Sequence, residues 1–396
     1  MKSTVLFVQG GSRWKFDEDG KIYTDSNFDE NIWKRYKFND SELSVILRRE
    51  NKIYNSDDAK SKFNLASDVV DRCIALPDIY KPRINLFSVS KLLKIISTIR
   101  QEVKCSDYVV IRSLGDIYTN TALKYAQKYK KKYLVEVTGF AFESFWYHSL
   151  LGKLIAPIRE IQCRTKMRDV DYAVYVTEDA LQKRYPCKGQ ILGCSDVCLQ
   201  SSFDSTLENR INLTRSNNRK LVIGTAAFLD VNWKGQSVVI KALSELSKLG
   251  IDSIEYQLIG AGSGKKLREL AKKLNVSDRV NIIGAVPHES VFEWFDSIDI
   301  YIQPSFTEGL CRSIVEAMSR ACPVICSDVG GNYELISKEL LFKAGDYIEL
   351  SHKICHLIET KQRIDESIKN FEKSKLFDKN VLDQKRELFY KHFFSS

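Results

Sequence analysis

The sequence predicts an α/β protein of two domains, each a parallel sheet with helices on both faces. Three observations carry this. Short β-branched or aromatic runs alternate with helically spaced segments along most of the chain, the pattern of parallel sheets. The 396 residues are enough for two domains with separate cores. A polar stretch without periodicity, Ser201 to Arg219, interrupts the rhythm near the middle.

In the first half, strands are expected at 4–8, 108–112, 133–138 and 172–176, with helices at 90–103, 118–130 and 147–169. Residues 12–85 are rich in charges and aromatics but lack a clean period, so no element is assigned there. In the second half the alternation is regular. Strands are expected at 220–225, 255–260, 280–284, 298–302 and 323–326, and helices at 235–248, 264–274, 288–295 and 310–320. Helical stretches at 347–359, 362–375 and 378–392 follow. The resulting division is a first Rossmann-like domain over 1–200, a linker or surface loop over 201–219 and a second domain over 220–375. Residues 376–396 form a C-terminal helix that crosses back to the first domain. Ligands of such sheets bind at the carboxyl ends of the strands, which points to a cleft between the two domains.

The composition is that of a globular chain: 44% hydrophobic, 28% charged, 19 Gly and 7 Pro. The formal charge of +9 suits an acidic partner, such as nucleotide phosphates or a phospholipid surface. No nucleic-acid-binding module or basic stripe with stacking aromatics is present. The 10 cysteines contain no CxxC pair, and neither Cys194/Cys198 nor Cys322/Cys326 has a nearby His to complete a zinc set. They read as reduced thiols of a cytoplasmic protein. The apolar run Val5-Leu-Phe-Val8 is too short for a signal peptide, and no window reaches the ~18 apolar residues of a membrane span.

The most informative stretch is Pro304-Ser-Phe-Thr-Glu308-Gly-Leu-Cys-Arg-Ser-Ile-Val-Glu316-Ala-Met318. It follows the apolar run Ile298-Asp-Ile-Tyr-Ile302 and opens a helical pattern. Glu308 falls in the strand-to-helix turn and Glu316 about two turns into the helix, up to ~12 Å apart along the axis. The helix start between them offers unpaired N–H groups and a positive dipole end. Two carboxylates for polyols with an anion site between them match the layout of a nucleotide sugar.

These residues, with Trp233-Lys234-Gly235-Gln236, Gln257-Leu-Ile-Gly260-Ala-Gly262, Val280-Asn-Ile-Ile-Gly284, Pro323-Val-Ile and Gly330-Gly331, stand in a fixed order over about 220–335. In that order they resemble the donor domain of a family-4 retaining glycosyltransferase of the GT-B fold. The first half resembles the looser acceptor domain, and the phrase Tyr175-Val-Thr-Glu-Asp-Ala-Leu-Gln-Lys-Arg-Tyr-Pro186 is similar to bacterial capsule and O-antigen enzymes.

The resemblance implies roles. Glu308 would hold the donor sugar's hydroxyls, and the N–H groups of Gly309, Leu310 and Cys311 the sugar and phosphate. Glu316 would accept from the ribose diol and Lys234 would pair with the diphosphate, making Glu308 and Lys234 the catalytic pair. Gly10-Gly11, in a loop after the first strand, would approach the donor phosphates. The loop Gly284-Ala-Val286-Pro would meet the nucleobase. Gly260 and Gly262 read as structural, shaping a tight turn.

Two departures from the family stand out. The Arg that precedes the Lys-Gly pair is missing from Gly224-Thr-Ala-Ala-Phe-Leu-Asp230, so Arg312 is the candidate for a second cation. The His after the fourth strand of the first domain is also missing. His148 is the nearest histidine, and Glu136, Thr138 and Glu143 are further acceptor-side candidates.

The activity implied is transfer of a hexose-type sugar, with UDP the favoured carrier, to a glycan or polyprenyl-linked acceptor in surface polysaccharide assembly. No metal or cofactor is expected. Aromatic and basic residues at helical spacing over 145–168 fit either a core helix with a solvated basic face or an interfacial helix on the cytoplasmic face of the membrane. Competing readings are another GT-B enzyme, such as a nucleotide-sugar epimerase or a glycogen- or sucrose-type synthase, and an inactive sugar-nucleotide-binding scaffold.

Overall fold

The computed structural model of the chain describes residues 2–25, 28–66, 69–147, 150–200, 204–216 and 220–395. It divides into a first unit of Met1–Val176, Gln182–Cys194 and Gln384–Ser396 and a second of Thr177–Leu181 and Ser195–Asp383.

The first unit carries strands β1 (Thr4–Asp17), β2 (Ile22–Thr24), β3 (Glu42–Tyr54), β4 (Asn64–Leu65), β5 (Arg72–Leu76), β6 (Tyr108–Arg112), β7 (Lys132–Val137), β8 (Tyr172–Tyr175) and β9 (Gln190–Gly193). Seven of them form a parallel sheet in the order β5-β3-β1-β6-β7-β8-β9. The far end of β1 also pairs antiparallel with β2, which pairs with β4. Residues 12–85, left unassigned from the sequence, thus hold β3, which lies between β1 and β5, and β5 at the edge of the sheet. The run Leu43–Leu47 is buried on both faces of the sheet, so it shows no alternation. Trp14, Phe28, Trp33 and Tyr36 lack a period because they come from different elements to form one cluster around Phe7. Trp33, from a helix of only five residues (Glu30–Lys34), stacks on Phe28 at 4.9 Å and meets Phe7 edge-on at 5.4 Å.

The first strand does not end before Gly10. It continues to Asp17 through a bulge: Val8 pairs with Ile46, and Arg13 already pairs with Arg48. Gly10 is required there because a Cβ would lie 2.2 Å from a carboxylate oxygen of Asp116. Asp116 caps the helix Ile117–Lys128 by accepting from the N–H groups of Tyr118 (2.8 Å) and Thr119 (2.9 Å). The helix expected over 147–169 is shorter, Leu150–Arg168, and is preceded by a separate helix Ala141–Trp146.

The second unit carries β10 (Leu221–Ala226), β11 (Ile254–Ile259), β12 (Val280–Gly284), β13 (Ile300–Gln303), β14 (Val324–Ser327) and β15 (Leu341–Phe342), all parallel, in the order β12-β11-β10-β13-β14-β15. This is a doubly wound sheet whose strand order reverses between β10 and β13. Its strands and covering helices, including Gln236–Lys248 and Arg312–Ser319, bury one continuous apolar core.

Residues 204–215 are a helix, not the expected linker. Residues 201–203 and 217–219 lie outside the described residues. The face this helix buries is polar, with Thr206, Arg210 and Thr214 at successive turns, which is why its sequence lacks an apolar period. Arg210 donates to the carbonyls of Phe295 (2.6 Å), Ile298 (2.5 Å) and Arg320 (3.3 Å), groups left unpaired where two other helices end. Arg363 does the same for Leu357 (2.8 Å), the C-cap of another helix, and Arg279 donates to the carbonyl of Leu243 (2.6 Å).

The last helix, Lys379–Ser395, contributes Gln384 onward to the first unit. There Tyr108 meets Phe394 edge-on at 5.0 Å and Phe393 at 5.7 Å.

Candidate functional site

The landmarks of the second half converge at the carboxyl ends of β10, β13 and β14. After β13 the chain runs through Pro304–Leu310 to Cys311, the N-cap of the helix Arg312–Ser319. Across from it, the 3-10 turn Asn232–Lys234 leads into Gly235, whose left-handed backbone (φ 72°) starts the next helix. A Cβ at Gly235 would lie 1.9 Å from the carbonyl oxygen of Pro304, so only glycine permits this approach. Phe306 N–H donates to the carbonyl of Trp233 at 2.8 Å and fastens the two loops together. A Cβ at Gly330 (φ 57°) would likewise lie 1.9 Å from the carbonyl oxygen of Glu308, and Gly331 N–H donates to that of Gly309 at 2.8 Å.

This backbone scaffold places two charges. One oxygen of Glu308 accepts from Lys234 Nζ at 2.7 Å, Ser305 Oγ at 2.7 Å and Gln303 Nε2 at 3.1 Å. The side chains of Lys234 and Glu308 are 23% and 12% exposed, so the pair is held at the surface of the core and still reachable. Burial works to neutralise Lys234, but the Glu308 carboxylate outweighs it and holds the ammonium above its ordinary range. Burial pushes the Cys311 thiol up, leaving it a small apolar cap rather than a nucleophile. Among the described residues, none accepts from the N–H groups of Gly309, Leu310 and Cys311.

Glu316 lies in the same helix, closer than the sequence suggested. The helix begins at Arg312, so Glu316 is about one turn in, roughly 6 Å along the axis, not two turns. It is 7% exposed, on a helix whose Ile314, Val315, Ala317 and Met318 are fully buried. Arg312, the candidate for a second cation, is the first residue of the helix and is exposed. Gly284, at the carboxyl end of β12, has φ 93°, and its carbonyl accepts from Gly260 N–H at 2.8 Å. Val286 just beyond packs against the core of the unit. Gly260 and Gly262 shape the β11 turn: a Cβ on Gly260 would meet the carbonyl oxygen of Ala227 at 2.0 Å.

The remaining sequence candidates belong to the first unit. Gly10 and Gly11 sit in the β1 bulge, not in a loop beyond the strand, and the carbonyl of Gly11 accepts from Arg48. Glu136 is buried and fully engaged. It accepts from Arg112 at 2.6 Å, from Tyr36 at 3.0 Å and from Tyr390 of the last helix. These contacts hold the C-terminal helix to the sheet and leave the carboxylate with a structural task. Thr138 shares a 2.5 Å hydrogen bond with Ser113, and burial raises the Glu143 carboxyl above the usual carboxylate range. His148 lies outside the described residues.

Sequence reasoning gave no role to Ser305, Gln303 or Glu334. A buried Gln ending the apolar strand β13 is a signal for the second of these. Glu334 accepts from the N–H groups of Glu178 (2.7 Å), Asp179 (3.1 Å) and Ala180 (2.6 Å), which fixes the segment Thr177–Leu181 within the second unit. Among the described residues no group of three or more His, Cys, Asp and Glu is placed to hold a metal ion, and no helix is long and apolar enough to cross a membrane.

Residues 208–375 match the family profile described as "Glycosyl transferases group 1". The chain is 32% identical to Protein CapJ of Staphylococcus aureus over 367 residues, 92% of this chain and 88% of that one. Among solved structures it is similar to sucrose-phosphate synthase from Thermosynechococcus elongatus, with TM-score 0.69 and 17% identity over all of both chains. It is also similar to Anabaena Alr3699/HepE in complex with UDP, with TM-score 0.62 and 15% identity over 99% of this chain and 100% of that one. Both likenesses place the fold in the GT-B class. With the CapJ relationship spanning nearly the whole chain and the group 1 profile covering the segments that carry Lys234, Glu308 and Glu316, this protein belongs to the group 1 glycosyltransferases and is a transferase.

Proposed function

We propose that the protein transfers a hexose-type sugar from a nucleotide diphosphate, with UDP the favoured carrier, to a glycan or polyprenyl-linked acceptor in surface polysaccharide assembly, with retention at the anomeric carbon. The observation that carries this is the convergence of Lys234, Glu308 and three N–H groups that have no acceptor among the described residues at the start of one helix, with Glu316 a turn further on. The similarity to CapJ and the UDP held by Alr3699/HepE support the pathway and the carrier.

A diphosphate at the helix start would draw the Lys234 ammonium from Glu308. The freed carboxylate then accepts from the sugar's hydroxyls, and Glu316 from the ribose diol. As the anomeric carbon–oxygen bond to phosphate breaks, charge grows on the diphosphate, and a positioned ammonium and helix dipole stabilise it most in the transition state. The acceptor oxygen bonds to the same face of the sugar, and its proton passes to the departing phosphate. No residue need act as a separate base. Lys234 and the helix dipole take the part a divalent cation plays elsewhere, so we propose that transfer is metal-independent. The enzyme works on the cytoplasmic face of the membrane, where a polyprenyl-linked acceptor is presented.

A thermal-shift panel of UDP, GDP and ADP, with and without EDTA, on wild type and Glu316→Ala tests this. Stabilisation by UDP of about 2.7 kcal/mol at ~100 times its Kd, unchanged by EDTA and lost in the variant, is expected. Proton NMR of the product of the matching sugar donor should show the donor's anomeric configuration. Failure of every nucleotide to stabilise the protein would leave the inactive scaffold as the better reading.

A further inference from the structure

We propose that one flank of the first unit, made of residues 81–94 and the helix Leu150–Arg168, is a docking surface for an anionic phospholipid bilayer. This deepens the peripheral location proposed above and is independent of the donor-site reading.

Both segments are built inside out. In the helix, the residues turned toward the protein are Gly152, Ala156, Glu160, Cys163 and Met167. The large aliphatic side chains point away, with Leu150 82%, Leu154 73% and Ile161 65% exposed. A helix that serves only the core of a water-soluble protein does the opposite. The segment Arg83–Phe87 repeats the inversion. Its polar Asn85 is buried, donating to the carbonyls of Asp78 and Lys81 at 2.8 Å each, while Ile84, Leu86 and Phe87 (81% exposed) face out, followed by Val89 and Leu93. The residues that border the first segment adjoin the helix: Tyr80, just before it, is within electrostatic reach of Arg159, and Ile96, just after it, lines one cavity with Lys166.

The charge pattern selects the partner. Residues 81–94 hold Lys81, Arg83, Lys91 and Lys94 and no acid. Residues 150–168 hold Lys153, Arg159, Arg164, Lys166 and Arg168, and the single acid there, Glu160, is buried and engaged by Arg164 at 2.8 Å, Arg184 and Tyr185. Aromatic rings sit beneath cations at the helix entry, with Lys153 over Trp146 at 5.5 Å and Arg159 over Phe145 at 5.7 Å. Exposed aliphatics among nine cations, with Glu160 the single acid of the two segments and itself buried, match a bilayer: the aliphatics enter the headgroup–acyl boundary and the cations meet anionic headgroups. A second copy of the same face would set like charges against each other, since a two-fold contact repeats the patch.

The test is co-sedimentation of the full chain, without nucleotide, with vesicles of phosphatidylcholine alone or mixed with phosphatidylglycerol, at low and high salt. Binding to the anionic vesicles, weakened by salt and weak on the neutral ones, is expected. Removing cations should cost roughly fivefold per charge, so the triple variant Arg83→Gln, Lys94→Gln, Lys153→Gln should lose about a hundredfold. The double variant Phe87→Ser, Leu154→Ser should lose at least about tenfold. All five side chains are exposed, so both variants should keep the wild-type melting temperature and nucleotide response. That separates loss of docking from failure of the donor site. No binding to anionic vesicles, equal binding to both kinds, or variants that bind like wild type would overturn the proposal. So would a concentration-dependent dimer that the Phe87→Ser, Leu154→Ser change abolishes, which would give the face to a second copy.

Discussion

Replacing Lys234 by Ala separates the chemistry of the site from its structure. In the protein, Lys234 Nζ lies 2.7 Å from a Glu308 oxygen that also accepts from Ser305 and Gln303. Removing a partner of a fully buried pair costs about 3–5 kcal/mol because a bare charge is left behind. Here the loss is smaller, since Glu308 keeps two donors and the pair is partly exposed. We expect about 1–2 kcal/mol of stability, the scale of one charged hydrogen bond, and a fall of roughly 3–6 °C in the melting of the second unit. The effect on catalysis should be much larger. One preorganised contact to charge that develops in the transition state contributes roughly 2.7–4 kcal/mol, a hundred- to thousandfold in kcat. Steady-state kinetics with the donor selected by the nucleotide panel, run beside circular dichroism melts, measures both. A Lys234→Ala enzyme that melts as expected but keeps kcat within about tenfold of wild type would refute the diphosphate role. Lys234 would then only hold Glu308 in place.

Arg210→Met should destabilise the second unit by about 3 kcal/mol. It strips the carbonyls of Phe295, Ile298 and Arg320 of a charged donor inside the protein, and urea denaturation would show an unchanged slope with a lower midpoint. Asp78 gives a pH prediction. Burial works against its ionisation, but Arg13, Arg48 and the N–H of Tyr80 outweigh that and hold the carboxyl below the usual carboxylate range. A depressed folded value means that the stabilisation is complete above the unfolded value near pH ~4 and is lost as pH falls through the folded one. The stability gap between wild type and Asp78→Asn should therefore be constant from neutral pH to about pH 5 and close below about pH 4; a gap that stays constant under acid would sink this account.

Wherever an element shows its burial in its own periodicity, it was legible from the chain. The strands β10 to β14 of the second unit and the helices between them fall within a few residues of expectation because each runs into one apolar core, whereas the two-residue β15 was not expected. The landmarks of the candidate site were legible for another reason: glycine at 235 and 330 answers a backbone clash that no other residue avoids. Elements that bury the wrong kind of face were not legible. The helix 204–215 presents Thr206, Arg210 and Thr214 inward, and β3 is apolar in its first half and charged in its second.

By itself, then, the sequence determined the α/β class, the order of the motif loops and the residue types at the candidate site, because propensity, periodicity and glycine sterics act over a few residues at a time. Only the tertiary structure decided which residues meet. It joined Lys234 to Glu308 across 74 positions, carried the first strand through a bulge at Gly10, placed Arg312 on the surface and committed Glu136 to the C-terminal helix. Those outcomes depend on long-range packing and on where buried polar groups find partners, and neither is written in any local stretch of chain.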